Sequence, residues 1–186
     1  NWAIINGDTQ TGITTFFLDH DIDTGNIIQR VPVPILDTDN AEDVHDKLMV
    51  LGSDLVIETV DNIIADNIHP IPQSAIETNE PLRPAPKIFK ETCRIDWNKS
   101  VKNTYDFIRG LSPYPAAWTE ITVNNKTSVL KIYATSKEFA TVEAPIGRIL
   151  TDGKSYLKVA QADGYQNILT LQMAGKKRMQ IADFLR

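Results

Sequence analysis

Hydrophobic and polar positions form distinct blocks near the start of the chain. Residues 14–18 and 27–31 are apolar runs rich in β-branched and aromatic side chains, a composition typical of strands. The insert between them contains the turn-forming cluster Asp23-Thr24-Gly25-Asn26, so we expect two neighbouring strands joined by a loop. Residues 1–6 are predicted to be the end of a helix that stops at Gly7.

A long helix and a proline-rich stretch come next. Apolar residues recur at spacings of three and four from Val44 to Ile64, which predicts an amphipathic helix over about residues 40–65. Residues 67–86 lack this period and contain five prolines. This composition predicts an extended, semi-rigid linker.

The second half of the chain has a β pattern. A short helix is predicted over residues 100–111, and it is followed by five strand-like runs at residues 117–123, 128–134, 147–151, 156–161 and 167–173. Turn signals connect them at Asn124-Asn125, Asp152-Gly153 and Asp163-Gly164. Five short strands with one helix predict a small OB-like barrel, and residues 179–186 are predicted to form a terminal helix.

Charge divides at the same place as the pattern. Residues 1–86 contain 3 Lys+Arg and 15 Asp+Glu, whereas residues 87–186 contain 16 and 9. The first half is therefore acidic and the second basic, which favours two domains with different partners. A basic domain is a candidate for binding a polyanion such as nucleic acid, although lysines can also simply solvate a β-rich surface.

Composition gives the expected compartment. The chain is 42% apolar and 23% charged, and no apolar run reaches the length that spans a bilayer. Its single cysteine, Cys93, cannot form an internal disulfide. We expect a soluble, cytoplasmic protein that does not bind a membrane.

The loop around Asp23 permits more than one interpretation. Asp and Gly are common in turns for conformational reasons alone. The tetrapeptide Ile22-Asp23-Thr24-Gly25 also matches the short signature of aspartic proteases. Those enzymes need two such aspartates on an all-β scaffold, and the long helix and proline linker that follow here argue against that class.

Six short motifs occur in one order along the chain. They are Gly7-Asp8, residues 11–14, the loop at residues 21–27, Ile95-Asp96-Trp97, residues 108–117 and residues 171–179. Together they resemble the methionyl-tRNA formyltransferase family over the whole chain. Sugar-nucleotide formyltransferases share the catalytic loop but are less similar to the basic C-terminal motif.

The resemblance implies a fold. It predicts an α/β remnant of a Rossmann-like formyltransferase domain, followed by a mainly-β OB-like barrel domain. The implied division is a catalytic part at residues 1–67, a linker at 68–86 and a C-terminal domain at 87–186. Family members have an Asn-x-His motif before the position of Asn1, so this chain alone is expected to be inactive.

The resemblance also implies an activity and its residues. A formyl group would pass from 10-formyltetrahydrofolate to the amino group of methionyl initiator tRNA, with Asp23 as the catalytic aspartate. The loop backbone would line the folate slot; its residues are His20, Asp21, Ile22, Asp23 and Thr24. No His, Cys or Asp spacing predicts a metal.

Initiator tRNA would be the polyanion for the basic half. The residues expected to bind it are Lys87, Lys90, Arg94, Lys176, Lys177 and Arg178. Trp97 and Trp118 are predicted to be core or interface residues, and the protein is expected to be a monomer. Two alternatives stay open: a non-catalytic RNA-binding module, and a formyltransferase that acts on a sugar nucleotide.

Overall fold

Helices and a hairpin form the first part of the chain, and strands dominate after residue 116. The structure, a computed structural model, describes residues 1–76, 81–123 and 125–186. Its helices are α1 (Trp2–Ile5), α2 (Ala41–Ile64), α3 (Val101–Leu111) and α4 (Ile181–Phe184). Its strands are β1 (Gln10–Phe16), β2 (Ile27–Pro34), β3 (Ala117–Val123), β4 (Lys126–Phe139), β5 (Ile149–Thr151), β6 (Leu157–Gln161), β7 (Gly164–Met173) and β8 (Met179–Gln180).

The chain divides into two units. The half-barrel unit contains Asn1–Asp8, Thr38–Glu42 and Lys87–Arg186. The hairpin unit contains Thr9–Asp37 and Asp43–Pro86. Two short segments from the first quarter of the sequence thus belong to the same unit as the β-rich second half.

Strands β1 and β2 form the antiparallel sheet of the hairpin unit, with Gln10 opposite Pro34 and Thr14 opposite Arg30. Both strands are longer than the apolar runs that predicted them. Strand β2 continues through Pro32 and Pro34, which a two-stranded sheet tolerates because a proline on an outer edge removes no ladder hydrogen bond.

Helix α2 packs on this hairpin through a small polar contact. The buried hydroxyl of Thr59 lies 3.1 Å from that of Thr15 on β1 and donates a 2.7 Å bond to the carbonyl of Leu55. The helix matches the predicted span, but its apolar residues are unevenly used. Val44 and Leu55 are buried, whereas Met49, Val50, Val56, Ile57 and Val60 are exposed in the described structure.

The half-barrel unit is built on a curled antiparallel sheet of six strands. The order is β3-β4-β7-β6-β5, and β8 pairs with β7. Alternate side chains point inward and form one core against α3. Its members are Cys93, Ile95, Ile108, Leu111, Ala117, Leu130, Ile132, Leu157, Val159, Ile168, Leu171 and Ile181.

Helix α3 covers the sheet and also receives α1. Ser100 caps the helix by accepting a 3.2 Å bond from the Asn103 amide. At Gly110 a Cβ would lie 2.9 Å from the backbone nitrogen of Ile5, so the glycine lets α1 approach closely. The Asn1 side chain donates a 2.7 Å bond to the Gly110 carbonyl.

The predicted architecture is confirmed: a short α/β region precedes a mainly-β domain of OB-like, half-barrel form. The details differ at two places. Strand β4 runs to Phe139 rather than residue 134, and the terminal segment begins as β8 before α4. Of the predicted turn at Asn124-Asn125, Asn124 lies outside the described residues.

Candidate functional site

The loop between β1 and β2 is closed by its own backbone. The Phe17 amide donates a 3.0 Å bond to the Asn26 carbonyl. Gly25 is buried beneath this crossing, and a Cβ there would overlap the carbonyl oxygen of Phe17. A residue without a side chain is therefore required at this position.

Local polar contacts shape the rest of the loop. The His20 amide donates a 2.7 Å bond to the Asp19 carboxylate, and the Thr24 hydroxyl donates a 3.0 Å bond to the Asp21 carbonyl. Asp23 has a φ of 60°, a left-handed conformation that Asp tolerates better than most residues. The turn chemistry expected of this cluster is present.

A segment of the proline-rich stretch braces the loop from outside. Ile71 and Ile27 exchange two backbone hydrogen bonds of 2.8 Å. Two residues further on, the Gln73 amide nitrogen donates bonds of 2.7 Å to the Asp23 carbonyl and 3.0 Å to the Gly25 carbonyl. The position of Asp23 therefore depends on Gln73, a residue that no local pattern of the sequence singles out.

An open groove of about 500 Å³ within the hairpin unit contains Asp23. Asp23 and Arg30 place opposite charges in it, and Phe16 and Leu82 supply apolar surface. Its lining residues are Thr14, Phe16, Asp23, Ile27, Arg30, Gln73, Ser74, Ile76 and Leu82. A carboxylate beside apolar walls suits a ligand that has both polar and apolar groups.

The five predicted folate-loop residues do not all meet in this groove. His20, Asp21, Ile22, Asp23 and Thr24 are all described and exposed, and Asp23 is the one that lines it. Two large apolar side chains of the loop are almost fully exposed, Leu18 at 92% and Ile22 at 90%. The loop thus presents an apolar tip as well as a carboxylate.

The predicted tRNA-binding residues lie on the half-barrel unit and are exposed. Lys87 lies 5.6 Å from the Phe89 ring centroid, and Arg94 forms a 2.7 Å ion pair with Glu120. Lys176, Lys177 and Arg178 follow Gly175, whose φ of 75° forms the turn after β7. Their positive charges are therefore presented at the surface rather than used in the core.

An ion-pair network around the buried Asp106 and Arg109 ties the segment Thr38–Glu42 to α3. Asp106 binds Arg109 at 2.8 Å and Lys102 at 2.6 Å. The Arg109 guanidinium also donates a 2.6 Å bond to the Asp39 carbonyl. Arg109 is thus a structural residue of the half-barrel unit.

The described structure bears on metal binding, membrane spanning and cysteine reactivity. Within residues 1–76, 81–123 and 125–186, no group of three or more His, Cys, Asp or Glu is arranged to bind a metal. In the same ranges, none of the helices has the length and hydropathy of a bilayer span. Burial raises the pKa of the Cys93 thiol, as expected for a packed, unreactive cysteine.

Both parts of the chain match one protein family. Residues 87–186 match the formyl transferase C-terminal domain, and residues 1–60 match the formyl transferase domain that precedes it. The chain belongs to the formyl transferase family.

The chain is similar to curated methionyl-tRNA formyltransferases. The chain is 69% identical over 188 residues to that of Phocaeicola vulgatus and 59% identical over 187 residues to that of Bacteroides thetaiotaomicron. Each alignment covers 100% of this chain and 58% of the relative. The chain therefore spans somewhat more than half the length of these relatives.

Solved structures share the fold at low identity. HypX from Aquifex aeolicus aligns with a TM-score of 0.68 at 19% identity, covering 99% of this chain and 31% of that protein. HypX in complex with tetrahydrofolic acid aligns at 0.64 and 18%, covering 99% and 31%. The sugar 3N-formyl transferase WlaRD aligns at 0.59 and 21%, covering 95% and 59%.

Proposed function

We propose that this chain is the C-terminal portion of an enzyme that transfers a formyl group from 10-formyltetrahydrofolate to the amino group of methionyl initiator tRNA. The supporting observation is the identity of 58–69% to several methionyl-tRNA formyltransferases across the entire chain. The aligned region includes the β-rich half-barrel unit. The sugar 3N-formyl transferase WlaRD has the same fold at 21% identity, so the fold alone does not identify the acceptor.

Asp23 is the catalytic residue of this proposal. In the reaction the amine attacks the formyl carbon, the bond from that carbon to the folate nitrogen breaks, and a proton passes from the amine to the departing nitrogen. The Asp23 carboxylate would orient a histidine from the preceding part of the protein. It would also stabilise that histidine while the histidine accepts the proton from the amine and donates it to the departing nitrogen. Oxyanion donors would also come from that part, so the chain alone would be inactive.

The loop and its groove would receive the folate. Phe16 and Leu82 offer apolar surface for a flat pteridine ring, and main-chain groups of residues 20–24 would meet its donors and acceptors. His20, Asp21, Ile22 and Thr24 are part of this proposal through their backbone. No metal is needed for the transfer.

The half-barrel unit would bind the tRNA. Exposed positive charges at Lys87, Lys90 and Arg94 and in the turn of Lys176, Lys177 and Arg178 suit binding to phosphates. The corresponding functional division is residues 1–67 for catalysis, 68–86 for the linker and 87–186 for tRNA. We place the protein in the cytoplasm as a monomer.

An acceptor comparison tests the proposal. The full-length protein that contains this chain is assayed with 10-formyltetrahydrofolate and either methionyl initiator tRNA or a dTDP-amino sugar. Formylation of the tRNA alone is the expected result. Formylation of the sugar alone would support the sugar-nucleotide alternative, and tRNA binding with no transfer and no folate binding would support a non-catalytic RNA-binding module.

A further inference from the structure

A row of side chains crosses the outer face of the half-barrel sheet. Trp118 on β3 pairs with Lys131 on β4, and Lys131 pairs with Gln172 on β7. Residues directly opposite one another in a sheet point to the same face. The adjacent row of Ala117, Ile132 and Leu171 is buried in the core, so Lys131 and Gln172 face outward, whereas the half-buried Trp118 also packs against the core.

Both ends of this row reach basic residues. At one end the Ile95 amide bonds the Trp118 carbonyl at 2.8 Å, and the Arg94 guanidinium lies 5.6 Å from the Trp118 ring. We call the whole set the outer row; it consists of Arg94, Trp118, Lys131, Gln172, Tyr133 and Arg178.

At the other end Tyr133 and Gln172 fix the basic turn. The Tyr133 hydroxyl donates a 2.7 Å bond to the Gln172 side chain, whose amide donates a 2.8 Å bond to the Lys176 carbonyl. The Arg178 guanidinium lies 4.2 Å from the Tyr133 ring centroid. A guanidinium stacked on a ring keeps its N–H edges available for a phosphate.

The charge along the outer row is mainly positive. Arg94, Lys131 and Arg178 contribute three cations, and Glu120 pairs with Arg94 at 2.7 Å. The Lys131 ammonium is exposed and lies 3.5 Å from the Pro115 carbonyl. Such a stripe complements a polyanion rather than an apolar partner.

We propose, building on the proposed function, that the outer row is a continuous RNA-binding track. Lys131 binds a phosphate midway between the linker-exit cations and the basic turn. Tyr133 is a positioning residue that aligns Arg178 for a second phosphate. The row thereby joins two groups of basic residues, far apart in sequence, into one surface.

The test measures binding of an initiator tRNA transcript to the full-length protein that contains this chain at several KCl concentrations. Lys131→Ala should weaken binding about threefold to tenfold and lower the slope of log K against log salt by about 0.7 to 0.9. Lys154→Ala removes an equal charge from the exposed turn between β5 and β6, and it should leave the slope unchanged.

Tyr133 variants separate positioning from folding. Tyr133→Leu should reduce affinity and slope as Arg178→Ala does. Tyr133→Phe keeps the ring beneath Arg178 and loses only the hydroxyl bond to Gln172, so its affinity should lie between that of Tyr133→Leu and that of the unchanged protein. Equal melting temperatures show that the variants are folded. Lys176→Ala combined with Lys177→Ala should weaken binding and serves as a positive control. If this control weakens binding but Lys131→Ala binds like Lys154→Ala, the track is refuted. The track is also refuted if the control weakens binding and Tyr133→Leu leaves the salt slope unchanged. If the unchanged full-length protein binds no tRNA, the proposed tRNA function of this unit fails with the track.

Discussion

Gln73 donates its side-chain amide to the backbone carbonyl of Asp23 at 2.7 Å, across 50 positions of sequence. The same nitrogen bonds Gly25 at 3.0 Å. One side chain thus fixes both sides of the turn that places the Asp23 carboxylate in the groove. Precise placement matters because a small displacement of a catalytic group strongly reduces rate.

Replacing Gln73 by Ala should slow formylation without changing the affinity for tRNA. Loss of the two hydrogen bonds would let Asp23 move from its position, and we expect kcat/KM of the full-length protein to fall by about tenfold. The KM for 10-formyltetrahydrofolate should rise while the KM for methionyl initiator tRNA stays constant. Gln10→Ala, at an exposed position of β1, is the matched control; equal kinetics of the two variants would remove Gln73 from the site.

Gly25→Ala should disrupt the loop. The added methyl group would overlap the Phe17 carbonyl, so the backbone must move and the hairpin unit should lose about 2 kcal/mol or more of stability. Gly52→Ala is the opposite case: it lies in α2, its Cβ would meet Ile13 at 3.8 Å, and it should stabilise by about 0.5–1 kcal/mol. Thermal unfolding followed by circular dichroism measures both, and a stable Gly25→Ala variant would contradict the loop geometry.

Asp106→Asn should destabilise the half-barrel unit strongly. The side chains of Asp106 and Arg109 are 2% and 9% exposed, and removing one charge of a buried pair costs about 3 kcal/mol or more. Lys102 also pairs with Asp106, but the Lys102 side chain is 54% exposed. Lys102→Ala should therefore cost less than about 1 kcal/mol of stability. Urea unfolding can be followed by tryptophan fluorescence because Trp2, Trp97 and Trp118 all belong to this unit. Similar losses in the two variants would contradict the network described.

Acid should weaken the contacts of β4 with β6 and β7. Hydrogen bonds from Lys158 and Asn167 lower the pKa of Glu138 below its ordinary value of 4.5. A carboxyl with a lowered folded-state pKa stabilises the fold above its unfolded pKa and loses that contribution as pH falls through the folded pKa.

The chain should therefore lose more unfolding free energy below about pH 4.5 than the Glu138→Gln variant does. Urea titrations between neutral pH and pH 3 compare the two proteins. Parallel pH profiles would show that Glu138 has the same pKa in the folded and unfolded chain.

Patterning was sufficient to predict what depends on local sequence. The span of α2, the strands of the half-barrel and the loop at Asp23 follow from periodicity and turn residues. Gln73 could not be found this way because its partners lie 50 and 48 positions away, in a stretch without periodicity. A link of this kind is visible only once the chain has folded.

The outer row could not be predicted from the sequence for a different reason. Lys131 and Gln172 are neighbours only in the observed strand register, and the register of β4 shifts on either side of Ala134. A bulge of this kind redirects side chains in a way that alternation does not predict. The attachment of Thr38–Glu42 to the half-barrel unit likewise depends on the long-range bond from Arg109 to Asp39.

The rate of formylation of methionyl initiator tRNA by the Asp23→Asn variant of the full-length protein tests the central claim most directly. Asn has nearly the same shape but cannot stabilise a protonated histidine, so kcat should fall by about two to four orders of magnitude while tRNA affinity stays the same. Turnover within a few fold of the unchanged protein would contradict a catalytic role for Asp23.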